Sequence, residues 1–246
     1  MSLPVFHRPD LAGTVAGASV ELTGDEARHA VVVRRIRVGE RLALTDGAGT
    51  TVVGTVAATA KTSLSLTVDE VVEARPDSPR LVVVQAIPKG DRGELAVEML
   101  TEAGADLIVP WAASRSVAVW RGERAAKSLA KWRSTAREAA KQSRRAWFPT
   151  VPEMVGTPGV VELLRDAALA VVLHEGGSTP LSAVEVPAEG DVVVVVGPEG
   201  GISDEELAAF AEVGAEPLRL GHSVLRTSTA GVAAAAALLS RTPRWA

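Results

Sequence analysis

The chain shows two kinds of hydrophobic pattern, and the change falls near residue 75. Before it, apolar and polar residues alternate in short runs broken by Asp46-Gly47, Gly54 and Lys61, a period-two pattern typical of half-buried strands. After it, the apolar runs are short, continuous and rich in valine, as in parallel strands buried on both faces. These runs cover residues 81–86, 107–110, 169–173, 192–196 and 217–220.

The change of pattern predicts two domains. We expect a small β domain over residues 1–73 and an α/β domain with a parallel sheet over residues 80–246, joined by the polar, proline-bearing segment between them. Two helix starts carry a capping-box pattern, in which Ser or Thr is followed three residues later by Glu. These are Thr23 with Glu26, and Ser203 with Glu206.

One segment is strongly basic although the chain as a whole is negatively charged. The chain carries a formal charge of −4, yet residues 115–145 hold ten Lys or Arg against two acids, so this segment carries +8 and the rest −12. On a helix over residues 123–145, Leu129 and Trp132 fall on an apolar side and the bases on the other. A solvated surface helix is one interpretation, but such faces usually mix signs. The pattern therefore favours contact with a polyanion such as nucleic acid.

Two glycine-bearing turns follow buried strands near the end of the chain. Gly197, Gly200 and Gly201 follow the valine run, and Gly221 opens the second turn, which leads to Arg226. Each turn alone is explained by a strand-to-helix connection, and neither fits a phosphate-loop or dinucleotide fingerprint. Because the carboxyl ends of parallel strands meet at one sheet edge, the pair predicts a small-molecule pocket there.

Composition excludes some chemistry. There is no cysteine, so disulfides and thiolate metal sites are ruled out. The first residues lack the basic-then-apolar pattern of a signal peptide, and the Ala-rich stretch 230–239 is too short to span a bilayer. We therefore expect a cytoplasmic protein without membrane segments.

The motifs GPEGGIS (197–203) and LGHSVLRTSTA (220–230), in this order, resemble those of the SPOUT superfamily of S-adenosylmethionine-dependent RNA methyltransferases. Within it, the chain is similar to the RsmE-type enzymes that methylate the N3 position of a uridine in 16S ribosomal RNA. Weaker matches cover most of the rest, including Lys89-Gly90 and His29. Many relatives have Glu where Ser228 stands here, and Glu where Lys141 stands.

The resemblance implies a fold and a set of roles. It implies a PUA-like β-barrel followed by a trefoil-knotted α/β domain, a homodimer, S-adenosylmethionine as methyl donor, the small ribosomal subunit as partner, and no metal. For methyl transfer to uridine N3, we expect Arg226, which lies where the second loop enters a helix, to be the catalytic residue that stabilises the imide anion, the alternative being a surface arginine. Donor binding is carried over to Leu173, His174, Gly197, Pro198, Glu199, Gly200, Gly201, Leu220, Gly221 and Leu225. Predicted RNA contacts are Arg8, Arg34, Arg35, Lys89, Arg92, Lys127, Lys131, Lys141, Gln142, Arg144 and Arg145.

Several alternatives stay open at this point. A non-catalytic RNA-binding protein would explain the basic helix but not the paired loops, and a metabolic enzyme with a nucleotide cofactor would leave the helix unexplained. A related methyltransferase could act on another base or on ribose. Glu199 is a proton acceptor or, as we favour, a residue that orders its loop. Trp120 and Trp147 are candidates for stacking on a base. The sequence identifies neither the modified uridine nor a general base, nor whether the substrate is free rRNA or an assembled particle.

Overall fold

The computed structural model describes residues 3–245. The chain divides into two compact units. The first comprises residues 1–76 and 140–148, and the second comprises residues 77–139 and 149–246. The division after residue 76 falls within the linker predicted between residues 73 and 80. Residues 140–148 pack with the first unit, although the sequence analysis placed them in the second domain.

The first unit is built on one five-stranded sheet. Its strands lie in the order β1-β3-β4-β5-β2, with β1 parallel to β3 and the other pairs antiparallel. The strands are β1 Val5–His7, β2 Ser19–Thr23, β3 Arg41–Thr45, β4 Thr50–Ala60 and β5 Ser63–Glu73. Burial alternates along β2 and the first part of β4, so the period-two pattern in the sequence marks one face toward a core.

Residues 140–148 belong to the first unit because two aromatic rings pack on its glycines. The ring of Phe148 lies where a Cβ of Gly47 would be, with Cδ2 2.6 Å from that position, and Trp147 covers Gly49 in the same way. The indole N–H of Trp147 also donates to the carbonyl of Ala74 at 2.9 Å. Both glycines have positive φ, so neither site accepts a side chain without strain. Trp147 thus has an intramolecular packing role that the sequence did not suggest.

One predicted helix cap in this unit is wrong. The helix α1, Gly24–Arg28, begins after Thr23, but the Thr23 side chain makes no capping hydrogen bond. The Glu26 carboxylate instead accepts from the His7 backbone N–H at 3.0 Å and from Lys141 Nζ at 2.6 Å. The carboxylate is therefore used by long-range partners, and a π-helical segment, His29–Val33, continues the helix.

The second unit is built on a six-stranded sheet in which every pairing is parallel, in the order β7-β6-β10-β8-β11-β9. The strands are β6 Arg80–Ala86, β7 Leu107–Trp111, β8 Leu169–Leu173, β9 Thr179–Pro180, β10 Asp191–Val196 and β11 Pro217–Arg219. The parallel α/β sheet predicted from the apolar runs is confirmed, with the short edge strand β9 added. Strand order does not define how the chain passes through its own loops, so the knot stays a prediction.

Helices cover both faces of this sheet. They are α2 Arg92–Glu102, α3 Gly122–Gln142, α4 Thr157–Arg165, α5 Asp204–Ala211 and α6 Thr227–Leu239, with 3-10 turns at Leu181–Ala183 and Pro243–Trp245. The last three residues of α3 belong to the first unit. Successive valines of β10 alternate between two hydrophobic cores, Val194 facing residues of α2, α3 and α6 and Val195 facing residues of α4 and α5. Alternation of this kind explains why the strand is apolar throughout.

Two buried arrangements support this sheet. On one face, Trp132 of α3 is 2% exposed and meets Trp120 edge-on, with ring centroids 5.0 Å apart. At the amino end of β7, the guanidinium of Arg244, with a side chain 4% exposed, pairs with Asp106 at 2.7 Å and reaches the carbonyls of Pro79 and Gly104. Within residues 3–245, no helix is long and apolar enough to cross a bilayer.

Candidate active site

A cavity of about 630 Å³ lies at the carboxyl edge of the six-stranded sheet. Its walls come from the segments that follow β8, β10 and β11, and from the start of α6. All ten residues predicted to bind the donor line this cavity, and so does Arg226. The structure therefore brings together residues that lie far apart in the sequence, because parallel strands deliver their following loops to one edge.

The loop after β10 is held by packing on a neighbouring loop. The Gly201 N–H donates to the carbonyl of Pro198 at 2.9 Å and closes the turn. A Cβ on Gly200 would lie 2.8 Å from the carbonyl oxygen of Arg115, a separation that real Cβ atoms do not tolerate. Glycine at 200 is therefore required by the close approach of the loop that follows β7.

The capping box predicted at the start of α5 is confirmed. The Glu206 N–H donates to the hydroxyl of Ser203, and the Ser203 N–H donates to the Glu206 carboxylate. Glu206 is 4% exposed, and its carboxylate also accepts from the Ser114 N–H at 2.8 Å and from the Thr157 hydroxyl at 3.1 Å. Glu206 thus ties together the loop after β7, the start of α4 and the start of α5. Two hydrogen bonds lower the pKa of the neighbouring Glu205 carboxyl. The larger effect comes from its own backbone N–H and the smaller from the Ser203 hydroxyl.

The second loop, after β11, is attached to the first through Thr227. The buried Thr227 hydroxyl donates to the carbonyl of Gly197 at 2.8 Å and accepts from Nε2 of Gln85 at 2.9 Å. Arg226 is the N-cap residue of α6, with extended backbone, and its side chain is exposed at the cavity. The helix start therefore presents a guanidinium to the cavity while the next residue anchors the loop.

The third wall follows β8. The His174 N–H donates to the carbonyl of Leu218 at 3.0 Å, and its ring Nδ1 accepts from the Gly176 N–H at 3.1 Å. The sequence predicted His174 as a donor-binding residue, and the structure shows in addition that it orders this turn. A Cβ on Gly177 would come within 2.7 Å of the backbone of Leu218, so this turn lies directly against β11.

Some cavity residues were not predicted from the sequence as part of the donor site. Arg92, Arg115 and Arg219 line the cavity with Arg226, which gives it four guanidinium groups. Arg92 was predicted only as an RNA contact, and its Nη1 donates to Oε1 of Glu199 at 3.3 Å. The same oxygen accepts from the Lys89 N–H at 3.3 Å. Arg219 ends the strand directly before the second motif, so its position was a signal that the sequence offered, whereas Arg115 is identified only by the contact of its loop with the loop after β10.

The chain matches two families of known protein domains. Residues 76–239 match the RNA methyltransferase domain family, and residues 22–69 match the RNA methyltransferase PUA domain family. The ribosomal RNA small subunit methyltransferase E of Mycobacterium tuberculosis is 44% identical over 98% of this chain and 93% of its own length. The chain belongs to the ribosomal RNA small subunit methyltransferase E family. The Bacillus subtilis member is 29% identical, with 90% of each chain covered.

Solved structures of similar chains contain the methyl donor. The family member from Neisseria gonorrhoeae, bound to S-adenosyl methionine, is 28% identical, with a TM-score of 0.85 over 97% of this chain and 98% of that chain. A Legionella pneumophila protein in complex with the bound cofactor SAM is also 28% identical, with a TM-score of 0.87 over 98% and 99% of the two chains. The predicted class, an α/β methyltransferase preceded by a small PUA-type β domain, is confirmed.

The residues predicted as RNA contacts in this family member fall on both units. In the second unit, Lys89, Lys127 and Lys131 are exposed and Arg92 is half-buried. Lys131 Nζ lies 3.0 Å from Oε1 of Glu94, and this hydrogen bond raises the pKa of the lysine. Lys131 is therefore already neutralised by an acid, whereas Lys127 makes no ion pair among the residues described.

In the first unit, Arg34, Arg35, Gln142 and Arg144 are exposed and Arg145 is half-buried. Arg8 is half-buried, and its Nε donates to the carbonyl of Glu21 at 2.9 Å. Lys141 differs most from the prediction, because its side chain is only 9% exposed and pairs with Glu26. The helical pattern in the sequence implied that all the bases of α3 face a partner. The structure shows instead that some of them are paired or partly buried within the chain.

Proposed function

We propose that this chain transfers a methyl group from S-adenosylmethionine to the N3 nitrogen of a uridine in 16S ribosomal RNA. The observation that carries the proposal is the cavity at the carboxyl edge of the parallel sheet, which gathers every predicted donor-binding residue and Arg226. Membership of the ribosomal RNA small subunit methyltransferase E family supports the RNA substrate.

The cavity suits a nucleoside-containing methyl donor. A Cβ on Gly221 would meet nothing within 4 Å, so the backbone there leaves room for a ligand to approach. Leu173, Leu220 and Leu225 supply apolar walls for an adenine ring, and exposed turn backbone supplies polar groups. The volume lies in the usual range for a small-molecule site. When bound, S-adenosylmethionine supplies a methyl group that is electrophilic because it is attached to a sulfonium.

Arg226 is the proposed catalytic residue. Uridine N3 carries a proton, and its removal leaves negative charge on the imide, so a fixed cation beside that charge lowers the barrier. The Arg226 guanidinium is exposed at the cavity and follows directly from the loop that Thr227 anchors. Glu199 has a loop-ordering role in this proposal, because Arg92 and Lys89 both donate to its Oε1.

The exposed cations supply the RNA contacts. Lys127 and the neighbouring Arg124 and Arg137 of α3 are exposed, and Arg34 and Arg35 are exposed on the first unit. Charges of this kind bind phosphates without reading sequence. Because ribosomal RNA is the proposed substrate, the proposal also places the protein in the cytoplasm.

A homodimer is the proposed assembly. One side of α6, which includes Gly231, Ala234 and Leu238, is buried in the unit's own core. The other side carries Ala233, Ala236 and Ala237, which are partly or fully exposed. Small side chains of this kind permit close approach of a second helix, and light scattering at micromolar concentration tests the assembly.

Single-turnover methylation tests the proposed function. The protein is mixed with labelled S-adenosylmethionine and either naked 16S rRNA or small-subunit particles, and the RNA is digested to nucleosides for mass analysis. We expect 3-methyluridine as the product. A methyl group on ribose or on another base would contradict the proposal, as would a protein that binds RNA but transfers no methyl group.

A further inference from the structure

Two oppositely charged residues line the donor cavity although neither was predicted as a site residue. They are Arg219, the last residue of β11, and Glu175, in the turn after β8. The two strands pair directly with one another, with Leu173 beside Leu218. A guanidinium and a carboxylate therefore reach the cavity from adjoining strand ends.

The backbone fixes the two segments that carry these charges. The His174 N–H donates to the carbonyl of Leu218 at 3.0 Å, and the Gly177 N–H donates to the carbonyl of His174 at 3.2 Å. A Cβ on Gly177 would lie 2.8 Å from the backbone nitrogen of Arg219. The turn that holds Glu175 thus packs directly on the residue that holds the guanidinium.

Neither charge is neutralised within the part of the chain that the structure describes. The Arg219 guanidinium is half-buried and makes no hydrogen bond or ion pair there, and the exposed Glu175 carboxylate makes none either. Arg92, in contrast, is paired with Glu199 at 3.3 Å, and Arg115 donates to a backbone carbonyl. A partly buried charge without a partner raises the free energy of the protein, so an anionic group of a ligand would stabilise Arg219.

We propose that Arg219 and Glu175 bind the α-amino-acid group of the methyl donor, with its carboxylate on Arg219 and its ammonium on Glu175. The inference rests on the proposed function. The carboxylate is the one anionic group of S-adenosylmethionine, and the ammonium is attached to the same carbon. A planar guanidinium forms two parallel hydrogen bonds with a carboxylate. The pair therefore makes the protein selective for donors that carry an intact amino-acid end.

An RNA phosphate is the competing ligand for Arg219. A phosphate would neutralise the guanidinium, but it would leave Glu175, on the adjoining strand end, as a second negative charge. The Arg226 guanidinium, which is exposed at the start of α6, is the cavity cation more accessible to RNA. A ligand group that carries both signs accounts for Arg219 and Glu175 together.

Arg219→Gln tests the carboxylate contact with two ligands that differ in one group. These are S-adenosylmethionine and decarboxylated S-adenosylmethionine, titrated by calorimetry. The Kd for S-adenosylmethionine should rise by about tenfold or more, and that for the decarboxylated ligand should stay the same. Arg219→Lys, which keeps the charge, should recover part of the difference. Arg115→Gln is the matched control, because it removes another guanidinium of the same cavity and should leave the ratio of the two constants unchanged.

Glu175→Gln tests the ammonium contact with 5′-methylthioadenosine as a third ligand, which lacks the whole amino-acid group. Both ligands that carry an ammonium should bind more weakly to this variant, and 5′-methylthioadenosine should bind equally well. Glu216→Gln changes an exposed acid just before β11 and should alter none of the three constants.

The ratio of Kd values decides between the outcomes. An unchanged ratio for the first two ligands in Arg219→Gln would overturn the inference, and a reduced affinity for rRNA alone would assign this guanidinium to a phosphate. Equal weakening of all three ligands would also overturn it, since the residue would then support the cavity's shape. An unchanged protein that binds none of the three ligands would contradict the proposed function instead.

Discussion

The hydroxyl of Thr227 donates to the carbonyl of Gly197 at 2.8 Å, and this bond joins two of the loops that form the proposed donor cavity. Thr227 is the first residue of α6, and Gly197 follows the last residue of β10. The same hydroxyl accepts from Gln85 at 2.9 Å, which adds the neighbouring strand β6. One buried side chain thus sets the separation of two cavity walls.

Thr227→Val should weaken donor binding. The substitution keeps the shape of the side chain but leaves the Gly197 carbonyl without this partner and removes one of the two bonds that Nε2 of Gln85 donates, the other being to the carbonyl of Ala86. An unmade buried hydrogen bond costs about 1–3 kcal/mol, so we expect a lower free energy of unfolding by that amount, measured in urea, and a higher Kd for S-adenosylmethionine, measured by calorimetry.

Two controls isolate the hydroxyl at this position. Thr227→Ser keeps both hydrogen bonds and should retain most of the affinity. Thr229→Val changes an exposed threonine two residues further along the same helix and should change neither quantity. Equal affinity of Thr227→Val and the unchanged protein would show that the loops keep their spacing without this bond.

Gly221→Leu should block the donor cavity without disturbing the fold. A Cβ at this position meets no atom within 4 Å, and the backbone does not lie in the left-handed region, so a leucine fits without strain and fills cavity space. We expect the Kd for S-adenosylmethionine to rise by about tenfold or more, because the leucine occupies volume that the ligand would otherwise fill. Thermal unfolding should change little, and full-strength binding by this variant would argue against the cavity as the donor site.

Arg226→Ala should lower turnover rather than donor affinity. Removal of a group that stabilises transition-state charge costs about 10²-fold or more in rate, whereas loss of a donor-binding group raises a dissociation constant and leaves saturated turnover nearly intact. Single-turnover rates at saturating donor separate the two roles. Arg226→Lys keeps the charge but not the planar geometry, and its rate should lie between that of Arg226→Ala and that of the unchanged protein. Wild-type turnover in Arg226→Ala would refute the catalytic assignment.

The exposed cations of α3 should set the salt dependence of RNA binding. Replacement of Arg124, Lys127 and Arg137 by Ala should reduce the slope of log K against log salt by about 0.7 for each phosphate that is no longer neutralised, as for single strands. Lys131→Ala is the matched control on the same helix, because Glu94 already pairs with that lysine. A slope that stays the same in the triple variant would mean that this face is solvated and binds no phosphate.

The sequence predicted the parts of the fold that depend on local pattern. The valine run of β10 has the residue spacing of a strand buried on both faces, and the structure places alternate valines in two cores. The capping box at Ser203 was also readable, because both partners lie within four residues. The same pattern at Thr23 failed because Glu26 is engaged by His7 and Lys141, which are distant in sequence.

In the candidate site, too, the residues in local motifs were predicted from the sequence, and those brought together by long-range contacts were not. The glycine turns and Arg226 were predicted from motifs, but the reason for Gly200 was not. A Cβ there would meet the backbone of Arg115, so the glycine serves loop packing in addition to the donor-binding role that the resemblance implied. The roles of Thr227 and Arg115 depend on which loops meet at the sheet edge, and no local pattern encodes that meeting.

The ion pair between Arg92 and Glu199 has a consequence for how two ligands affect one another's binding. Its two members belong to different cavity walls, since Glu199 lies on the loop after β10 and Arg92 begins α2. A ligand that fixes one member changes the free energy with which the other side binds, and linkage makes that effect equal in both directions. Donor and RNA should therefore change one another's dissociation constants by the same factor, which calorimetric titration of each in the presence of the other measures.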